Sequence, residues 1–449
     1  MCRGPGKGSP PVASGVSLPA AEAGAFLEAL PSAARPLVVG RGRPNPPFGE
    51  CPALALRARL GGMERRGLRE AAGALAVSAG AQGRRVARGV AWRGRGGAAW
   101  TRRAARIVRH ARAEYGASTT RLATRVAALR LRRGFRLEEA HAIGLLDPAL
   151  GAAALDAHVS KRHLLRAQRR LNPNEMSHWT EDKAVFYRHA EAAGIPVPRL
   201  YGVLCESGPG WSWRGEVLAG PADWARFLIE SVPAEFVVKP SRGYHGLDVR
   251  VVRREGPVLV HAGGERLSAP QLCAVILADR RFHSHVVQER LRDHPGMPGD
   301  GEALQTVRMV TLVERGGGVG LLNAQLKVAR SGAAVDNFQD GATGNLIAPV
   351  RLGDGAITAL IGADRHGVMR EVAPAPADGL PAPGARLPLW EDALALVRRA
   401  APVFLPMRCV GWDVALTPGG PVIVEGNMWW DPPSPEPTAG DIARHLRHA

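Results

Sequence analysis

The sequence has few cysteines, few aromatic residues and no long apolar run. Its five cysteines, in 449 residues, lie far apart and are never spaced as C-x-x-C. This excludes a disulfide framework and a zinc site of closely spaced cysteines, and it predicts inert thiols. No apolar run approaches the roughly 20 residues of a membrane span, and no leader pattern precedes the first helix. The sequence therefore predicts a soluble, cytoplasmic protein of two or three domains or subdomains.

Acidic residues are scarce in the first third of the chain. Residues 1–150 hold 26 Lys and Arg against 9 Asp and Glu, so they carry +17 of the total charge of +18. Within them, residues 1–105 are rich in Gly, Pro, Ala and Arg without a sustained apolar period, which predicts a disordered basic segment. Polyanion binding through this arm is one alternative function. Without interleaved aromatic residues or a recognised nucleic-acid-binding fold, we predict no specific nucleic-acid partner.

The rest of the chain divides into a small helical region and a larger mixed one. Apolar residues recur at helical spacing within 106–154. From 155 onward, a helix over 181–193, opened by Thr180 and closed by Gly194, precedes a series of β-rich segments. These segments are FVVKP, DVRVV, HVVQERL, LQTVRMVTLV, VGLLNAQLKV, VGWDVAL and PVIVEG. Consecutive antiparallel strands with intervening helices predict the α+β class.

The segment GWDVALTPGGPVIVEGN carries hard oxygen ligands on a predicted hairpin. Asp413 lies on the first strand, and Glu425 and Asn427 lie on one face of the second because side chains alternate along a strand. Carboxylate and amide oxygens at this spacing suit Mg²⁺ and leave positions for phosphate oxygens. Taken alone, the same hairpin also fits a solvated polar surface.

The register of this hairpin decides whether the two acids meet. With an odd loop, 417–421, Ala415 pairs with Ile423 and Asp413 lies opposite Glu425. An even loop turns Asp413 to the other face. A shared metal therefore requires the odd register or a bulge.

Upstream, Lys239 ends an apolar strand and is followed by a flexible turn. Gly243 and Gly246 allow backbone N–H groups to approach anionic oxygens, and Lys239 supplies charge, as a phosphate cradle requires. An ordinary hairpin with a basic residue has the same pattern. Further on, Gln288 and Glu289 follow a β-branched run and could bind an adenine edge or a ribose. Arg308, inside an apolar strand, requires an anion or a solvated face.

Taken in order, these features resemble the ATP-grasp superfamily, and more closely its sugar-transfer associated branch, which is related to α-L-glutamate ligases. The matching segments are LNPNEMSHWTEDKAVFYRHAEAAGIPVP, FVVKPSRGYHGLDVRVV, VVQERL, TVRMVTLV, VDNFQDGATGN and GWDVALTPGGPVIVEGN. They extend over about 155–440. The resemblance implies an ATP-grasp domain, 155–449, whose two α+β subdomains, about 155–287 and 288–449, hold ATP between them.

The resemblance also implies roles for individual residues. It assigns the nucleotide to Lys183, Lys239, Gln288 and Glu289, with the loop from Ser241 through Gly243 to Gly246 covering the phosphates. It assigns the γ-phosphate or acyl phosphate to Arg308 and magnesium to Asp413, Glu425 and Asn427. Two departures affect the acceptor side: Lys327 stands where an arginine is expected, and a glycine pair is loosened to DGATG.

The function that follows is ATP- and Mg²⁺-dependent ligation of a carboxylate to an amine or hydroxyl acceptor through an acyl phosphate. The substrates would be small molecules, with a sugar-linked acceptor and a role in polysaccharide or cell-surface sugar modification as further expectations. Lys327, Asp336, Asn337 and Asn345 are the candidates near the substrate, with Arg308, Lys327 and Asn337 as catalytic residues. An ATP-dependent phosphotransferase acting on a sugar or alcohol would use the same constellation and stays an alternative.

Overall fold

The computed structural model describes residues 102–243, 246–299, 303–330, 332–333, 335–373, 379–432 and 439–449. All of them belong to one compact unit, Val90–Ala449. The prediction of disorder over 1–105 falls outside the described residues except for 102–105, which are helical. The helical region therefore begins before residue 106. No helix among the described residues is both long enough and apolar enough to cross a membrane.

Helices form an N-terminal layer and also cover the sheets. The described helices are α1 (102–115), α2 (Thr119–Arg133), α3 (Leu137–Ala142), α4 (Ala152–Asp156), α5 (Lys161–Leu171), α6 (His178–Glu181), α7 (Lys183–Ala192), α8 (Pro221–Glu230), α9 (Ala269–Ala278), α10 (Trp390–Val403) and α11 (Ala439–His448). The predicted helical region, 106–154, thus consists of α1 to α4, which share an apolar cluster that includes Leu122, Leu129 and Phe135.

The first sheet is antiparallel and is covered by two helices. Its strands are β1 (Leu200–Cys205), β2 (Gly210–Ser212), β3 (Val217–Leu218), β4 (Glu235–Pro240), β5 (Arg250–Glu255), β6 (Val258–His261), β7 (Arg266–Ser268) and β8 (Ser284–Glu289). They are ordered β3-β2-β1-β8-β4-β5-β6-β7. Trp224 of α8 and Leu272 of α9 pack with Phe236 and Val238 of β4 in one buried cluster. This packing holds β4, with Lys239 near its end, against α8 and α9.

The second sheet is also antiparallel. Its strands are β9 (Thr306–Val313), β10 (Val319–Val328), β11 (Leu346–Pro349), β12 (Ile361–Ala363), β13 (Met369–Glu371), β14 (Cys409–Thr417) and β15 (Gly420–Asn427). They are ordered β13-β12-β11-β10-β9-β14-β15. Every residue of β14 is buried. Val397 of α10, together with Phe404, packs in the same cluster as Trp412 of β14. Asp413 therefore projects from a buried strand that is paired on both sides.

The predicted α+β class and all seven predicted strands are confirmed. Two boundaries differ from the prediction. The helix assigned to 181–193 begins at Lys183, because the side chain of Asp182 accepts the N–H groups of Ala184 and Val185 at 3.1 and 3.4 Å. Thr180 lies in the preceding short helix, α6. The subdomain boundary predicted at 287/288 falls inside β8, which pairs along its length with β1 and β4.

The described cysteines have free thiols. Burial raises the pKa of Cys273 to about 11 and that of Cys409 to about 12, which keeps both thiols protonated and unreactive at neutral pH. Cys205 is also free, and burial raises its pKa too. Cys2 and Cys51 lie outside the described residues.

Candidate active site

A cavity of about 450 Å³ opens between the two sheets. Strands β4 and β8 of the first sheet line it, together with β9, β10, β14 and β15 of the second and the first turn of α7. The predicted site residues that line it are Lys183, Lys239, Gly243, Gly246, Gln288, Glu289, Arg308, Lys327, Asn337, Asp413, Glu425 and Asn427. Residues more than 240 positions apart in sequence thus meet in one space.

Ser241 is the predicted site residue that does not line the cavity. It is fully buried, its hydroxyl donates to Asp182 Oδ1, and its carbonyl oxygen accepts the N–H of Lys183 at 2.9 Å. These bonds join the end of β4 to the start of α7. Ser241 therefore positions Lys183 and is not placed to contact a ligand in the cavity itself.

Two lysines provide positive charge from the side of α7 and β4. Lys239 is buried, with its Nζ 5.7 Å from the ring centroid of Tyr187. Burial, reinforced by the charge of Lys183, lowers the pKa of Lys239 to about 7, although Glu425 and Asp413 act in the opposite direction. The ammonium of Lys183 donates to Gly243 O at 3.3 Å and lies 3.8 Å from Glu425 Oε1. A polyanion entering here would meet both lysines.

The glycine turn after β4 lies close to the segment that joins β10 and β11. Gly246 has a φ of +71°, which side-chain-bearing residues rarely adopt, and a Cβ there would lie 3.0 Å from Val335 Cγ2. Gly243 lines the cavity beside Lys183. Tyr244 and His245, between the two glycines, lie outside the described residues. The requirement for glycine at 246 fits a loop that passes close over the cavity.

Tyr187 is a site neighbour that the sequence reasoning missed. It lies one helical turn after Lys183 on α7, and its hydroxyl lies 2.8 Å from Gln288 Oε1 and 2.9 Å from Val424 O. The hydroxyl therefore links β8 of the first sheet to β15 of the second. The spacing of four between Lys183 and Tyr187 was the available signal, because residues at i and i+4 share a helix face.

Glu289 is held in place by the chain that enters β1. Its Oε2 accepts the N–H of Arg199 at 3.1 Å, and its own N–H donates to Arg199 O at 2.9 Å. Gln288 is buried and Glu289 is half-buried, at the end of β8 where the cavity opens. Polar groups at the end of a buried strand suit the orientation of a flat heterocycle or a ribose.

The hairpin of β14 and β15 has the predicted pairing of Asp413 with Glu425 but not the predicted turn. β14 and β15 are joined by a tight turn at 418–419, so the odd loop and the pairing of Ala415 with Ile423 are wrong. A bulge next to Asp413 shifts the register by one residue and brings Asp413 opposite Glu425. Pro418 and Gly419 occupy this turn, and Gly420 after them has a φ of +111°, a conformation that favours glycine. The bulge then restores the shared face.

Asp413 is surrounded by two cations. Arg308 binds it with two hydrogen bonds, Nε to Oδ1 at 2.5 Å and Nη2 to Oδ2 at 3.0 Å, and Lys327 Nζ donates to Oδ2 at 2.8 Å. Burial alone would raise the pKa of Asp413, but Arg308 and Lys327 outweigh it and hold the pKa well below its usual range. The carboxylate therefore stays ionised throughout the physiological range.

The oxygen donors proposed for magnesium are two carboxylates and one amide. Asp413, Glu425 and Asn427 line the same cavity from neighbouring strands. The amide nitrogen of Asn427 donates to Gly411 O at 3.4 Å, which leaves the amide oxygen as its ligand atom. Within the described ranges, no group of three or more His, Cys, Asp or Glu forms a metal site by itself. Two carboxylates and one amide suit an ion that completes its shell with nucleotide and water oxygens.

The candidate acceptor residues divide into two groups. Asp336 and Asn337 line the cavity, whereas Asn345 is buried and does not. Asn345 Nδ2 donates to Val335 O at 2.7 Å and to Asn337 O at 3.0 Å, and its Oδ1 accepts from Arg330 N. Asn345 therefore holds the polar segment that presents Asp336 and Asn337, without reaching a substrate.

A cleft between two antiparallel sheets, lined by lysines and by oxygen donors, defines the class of site, and comparison with protein families identifies the family. The sequence matches the family described as sugar-transfer associated ATP-grasp over residues 164–435, more than half of the chain. The chain belongs to this family. The predicted family, the ATP-grasp fold and the class of enzyme are thereby confirmed. No curated protein matches the sequence.

Several solved structures are similar to the chain at low identity. D-cycloserine synthetase DcsG is 15% identical, with a TM-score of 0.33, over 64% of this chain and 78% of its own. A RimK domain protein ATP-grasp from Sphaerobacter thermophilus DSM 20745 is 15% identical, with a TM-score of 0.31, over 60% of this chain and 69% of its own. L-amino acid ligase from Bacillus licheniformis is 13% identical, with a TM-score of 0.29, over 56% of this chain and 41% of its own. The chain therefore spans less than half of the length of that enzyme. No activity or substrate is inferred from them.

Proposed function

We propose that the cavity binds MgATP and that the protein joins a small-molecule carboxylate to an amine or hydroxyl acceptor through an acyl phosphate. One observation carries the proposal: a single cavity combines the buried Lys239 and Lys183 with the oxygen donors Asp413, Glu425 and Asn427. Its volume, about 450 Å³, suits a ligand of nucleotide size.

In this proposal the lysines bind the triphosphate and the strand ends bind the nucleoside. Lys183 and Lys239 supply charge to phosphate oxygens, and the glycine turn containing Gly243 and Gly246 covers them. Gln288 and Glu289 orient the adenine and ribose. Bound magnesium would neutralise charge on the β- and γ-phosphates, held by Asp413, Glu425 and Asn427.

The reaction has two steps. A carboxylate oxygen of the substrate attacks the γ-phosphorus and ADP leaves; the acceptor then attacks the acyl carbon and phosphate leaves. Arg308 and Lys327 line the cavity beside Asp413, where their charges stabilise the transferred phosphoryl group and the negative charge that develops on the acyl oxygen. Lys327 supplies a single ammonium in place of the two-pronged guanidinium of an arginine.

The acceptor enters near Asp336 and Asn337. Membership of a sugar-transfer associated family supports a sugar-linked substrate and a role in polysaccharide or cell-surface sugar modification. The need for ATP supports a cytoplasmic location.

The test is a screen for ADP release with amino acids and sugar acids as carboxylates and hydroxylamine as a trap for the acyl phosphate. We expect ADP and hydroxamate in equal amounts for at least one carboxylate. A phosphorylated sugar or alcohol without hydroxamate would favour the phosphotransferase alternative. ATP turnover that no carboxylate stimulates would contradict the ligase proposal.

A further inference from the structure

Besides the proposed magnesium ligands, two further carboxylates that line the cavity are held by neighbouring backbone amides. They belong to Asp293 and Asp336. Gln305 N donates to Asp293 Oδ1 at 3.1 Å and Oδ2 at 3.2 Å, and Thr306 N donates to Asp336 Oδ2 at 2.8 Å. The two donors are consecutive residues, and the charge of Asp336 contributes to the raised pKa of Asp293, so the two carboxylates lie near enough to interact.

These carboxylates have no ion-pair partner within the described ranges. No described Lys, Arg or His nitrogen lies within 4.0 Å of Asp293 or Asp336, in contrast to Asp413 with its two cations. Burial raises the pKa of Asp293 to about 6, and Asp336 contributes to this rise. Burial also raises the pKa of Asp336, and the charge of Asp413 adds to this rise. The charge of Lys327 and the hydrogen bonds from Thr306 partly offset the rise. Two close like charges in a buried place are stabilised by a shared cation.

The hydrogen bonds to these carboxylates come from rigid elements. Thr306 is the first residue of β9, and its hydroxyl also donates to Asp336 Oδ2 at 2.5 Å. Gln305 Nε2 donates to Asp293 Oδ2 at 3.3 Å. Two residues further along β9, Arg308 faces Asp413. This part of the cavity therefore presents the negative pair next to the cations proposed to bind the acyl phosphate.

We propose that Asp293 and Asp336 form the acceptor subsite, and that the nucleophile is an amine that enters as an ammonium ion and not a hydroxyl. The inference rests on the proposed ligase function. An ammonium donates charge-assisted hydrogen bonds to both carboxylates, roughly twice as strong as those of a neutral hydroxyl. A neutral alcohol leaves the negative pair uncompensated.

The chemical step balances as follows. One N–H proton of the ammonium passes to a carboxylate oxygen of the pair, which frees the nitrogen lone pair. The lone pair forms the C–N bond to the acyl carbon, the C–O bond to phosphate breaks, and phosphate leaves with the electron pair. The nitrogen, which is cationic after the attack, gives its second surplus proton to the departing phosphate and becomes a neutral amide. The proton held by the carboxyl group then passes to solvent. Asp293 and Asp336 thus bind the amine and accept its proton.

The test compares two nucleophiles of different charge in the variants Asp293→Asn and Asp336→Asn. Asparagine keeps an oxygen acceptor for Gln305 N or Thr306 N but removes the charge. Methylamine enters as a cation, whereas hydroxylamine is largely neutral at neutral pH. With a carboxylate that the screen identifies, we expect the kcat/KM for methylamine to fall at least about tenfold in each variant, a loss of about 1.4 kcal/mol. Hydroxamate formation should fall by a clearly smaller factor, because hydroxylamine arrives without the positive charge that the pair binds.

A matched control is Asp354→Asn, which removes one carboxylate that pairs with Arg351 outside the cavity. It should leave both reactions unchanged. Wild-type protein should form amide with methylamine and no ester with methanol. Wild-type protein that uses methanol as well as it uses methylamine would overturn the amine subsite. So would an equal loss of amide and hydroxamate formation in the Asp293 and Asp336 variants. Absence of hydroxamate from the wild type with every carboxylate would instead contradict the ligase function itself.

Discussion

Asp413 lies directly opposite Glu425 on neighbouring strands, because a bulge compensates for the tight turn that joins them. Without the bulge, alternation along β15 would turn Glu425 away from the cavity that Asp413 lines. The bulge therefore brings together both carboxylates of the proposed magnesium site. Each acid also faces a cation: Arg308 and Lys327 at Asp413, and Lys183 at Glu425.

Arg308→Met should destabilise the fold. The substitution leaves the buried carboxylate of Asp413 with Lys327 as its remaining close cation, and we expect a loss of about 3 kcal/mol in the free energy of unfolding. Urea denaturation measures it. Arg351→Met, which breaks the exposed pair with Asp354, is the control and should cost less than about 1 kcal/mol. Equal losses in the two variants would show that the buried pair has no special weight.

Gly246→Ala should weaken ATP binding as well as stability. Its φ of +71° costs a side-chain-bearing residue about 1 kcal/mol, and the added Cβ would press on Val335 over the cavity. Gly256→Ala is a matched control, since Gly256 has a φ of +60° with open space around it and lies outside the cavity. Thermal unfolding should show similar losses in both, whereas calorimetry should show weaker ATP binding for Gly246→Ala alone. Equal ATP affinity in the two variants would argue against the covering loop.

Lys239→Met should stabilise the ligand-free protein near neutral pH. The pKa of Lys239 is about 7 in the fold against an ordinary value of 10.5, so between these pH values the unfolded chain holds a proton that the folded chain lacks. The free energy of unfolding therefore rises with pH between about 7 and 10.5. Below pH 7 the full free-energy cost of burying the charged ammonium is present. The gain of the variant should be largest at pH 7 and shrink towards pH 10.5.

Lys161→Met is the control for this pH series. The ammonium of Lys161 pairs with Asp340 and Asp431, each at 3.3 Å, so its removal offers no such gain. Chemical denaturation at a series of pH values measures both variants. A loss of stability for Lys239→Met at pH 7 equal to that of Lys161→Met would contradict the desolvated state of Lys239.

ATP binding above pH 7 should take up a proton. Lys239 is largely neutral in the ligand-free protein at pH 8, and the phosphate charges favour its protonated form. The calorimetric binding enthalpy should therefore differ between buffers of different ionisation enthalpy, corresponding to a fraction of one proton and at most one. The difference should disappear in Lys239→Met. The same buffer dependence in the variant would assign the proton to another group.

Much of the fold followed from local pattern, whereas details of the site depended on tertiary contacts. Short apolar runs rich in β-branched residues predicted β4, β8 and β14 correctly, because each strand is paired and buried between two neighbours. The sequence left open whether an odd loop or a bulge brings Asp413 opposite Glu425, since both fit the same residues, and the structure has the bulge. Asp293 lies in a loop without a regular period, and only the fold brings it beside Asp336. The roles assigned to the cavity residues stay predictions.

The most direct test of the account is calorimetric titration of ATP, with and without Mg²⁺, into wild-type protein, Glu425→Gln and Glu371→Gln. Glu371 is exposed on β13, so Glu371→Gln removes an equal charge outside the cavity. We predict that Mg²⁺ strengthens ATP binding to the wild type and Glu371→Gln, and that Glu425→Gln loses most of this effect while still binding ATP through Lys183 and Lys239. Wild-type protein that binds no ATP, or a Glu425→Gln variant with unchanged dependence on Mg²⁺, would contradict the assignment of this cavity as the MgATP site.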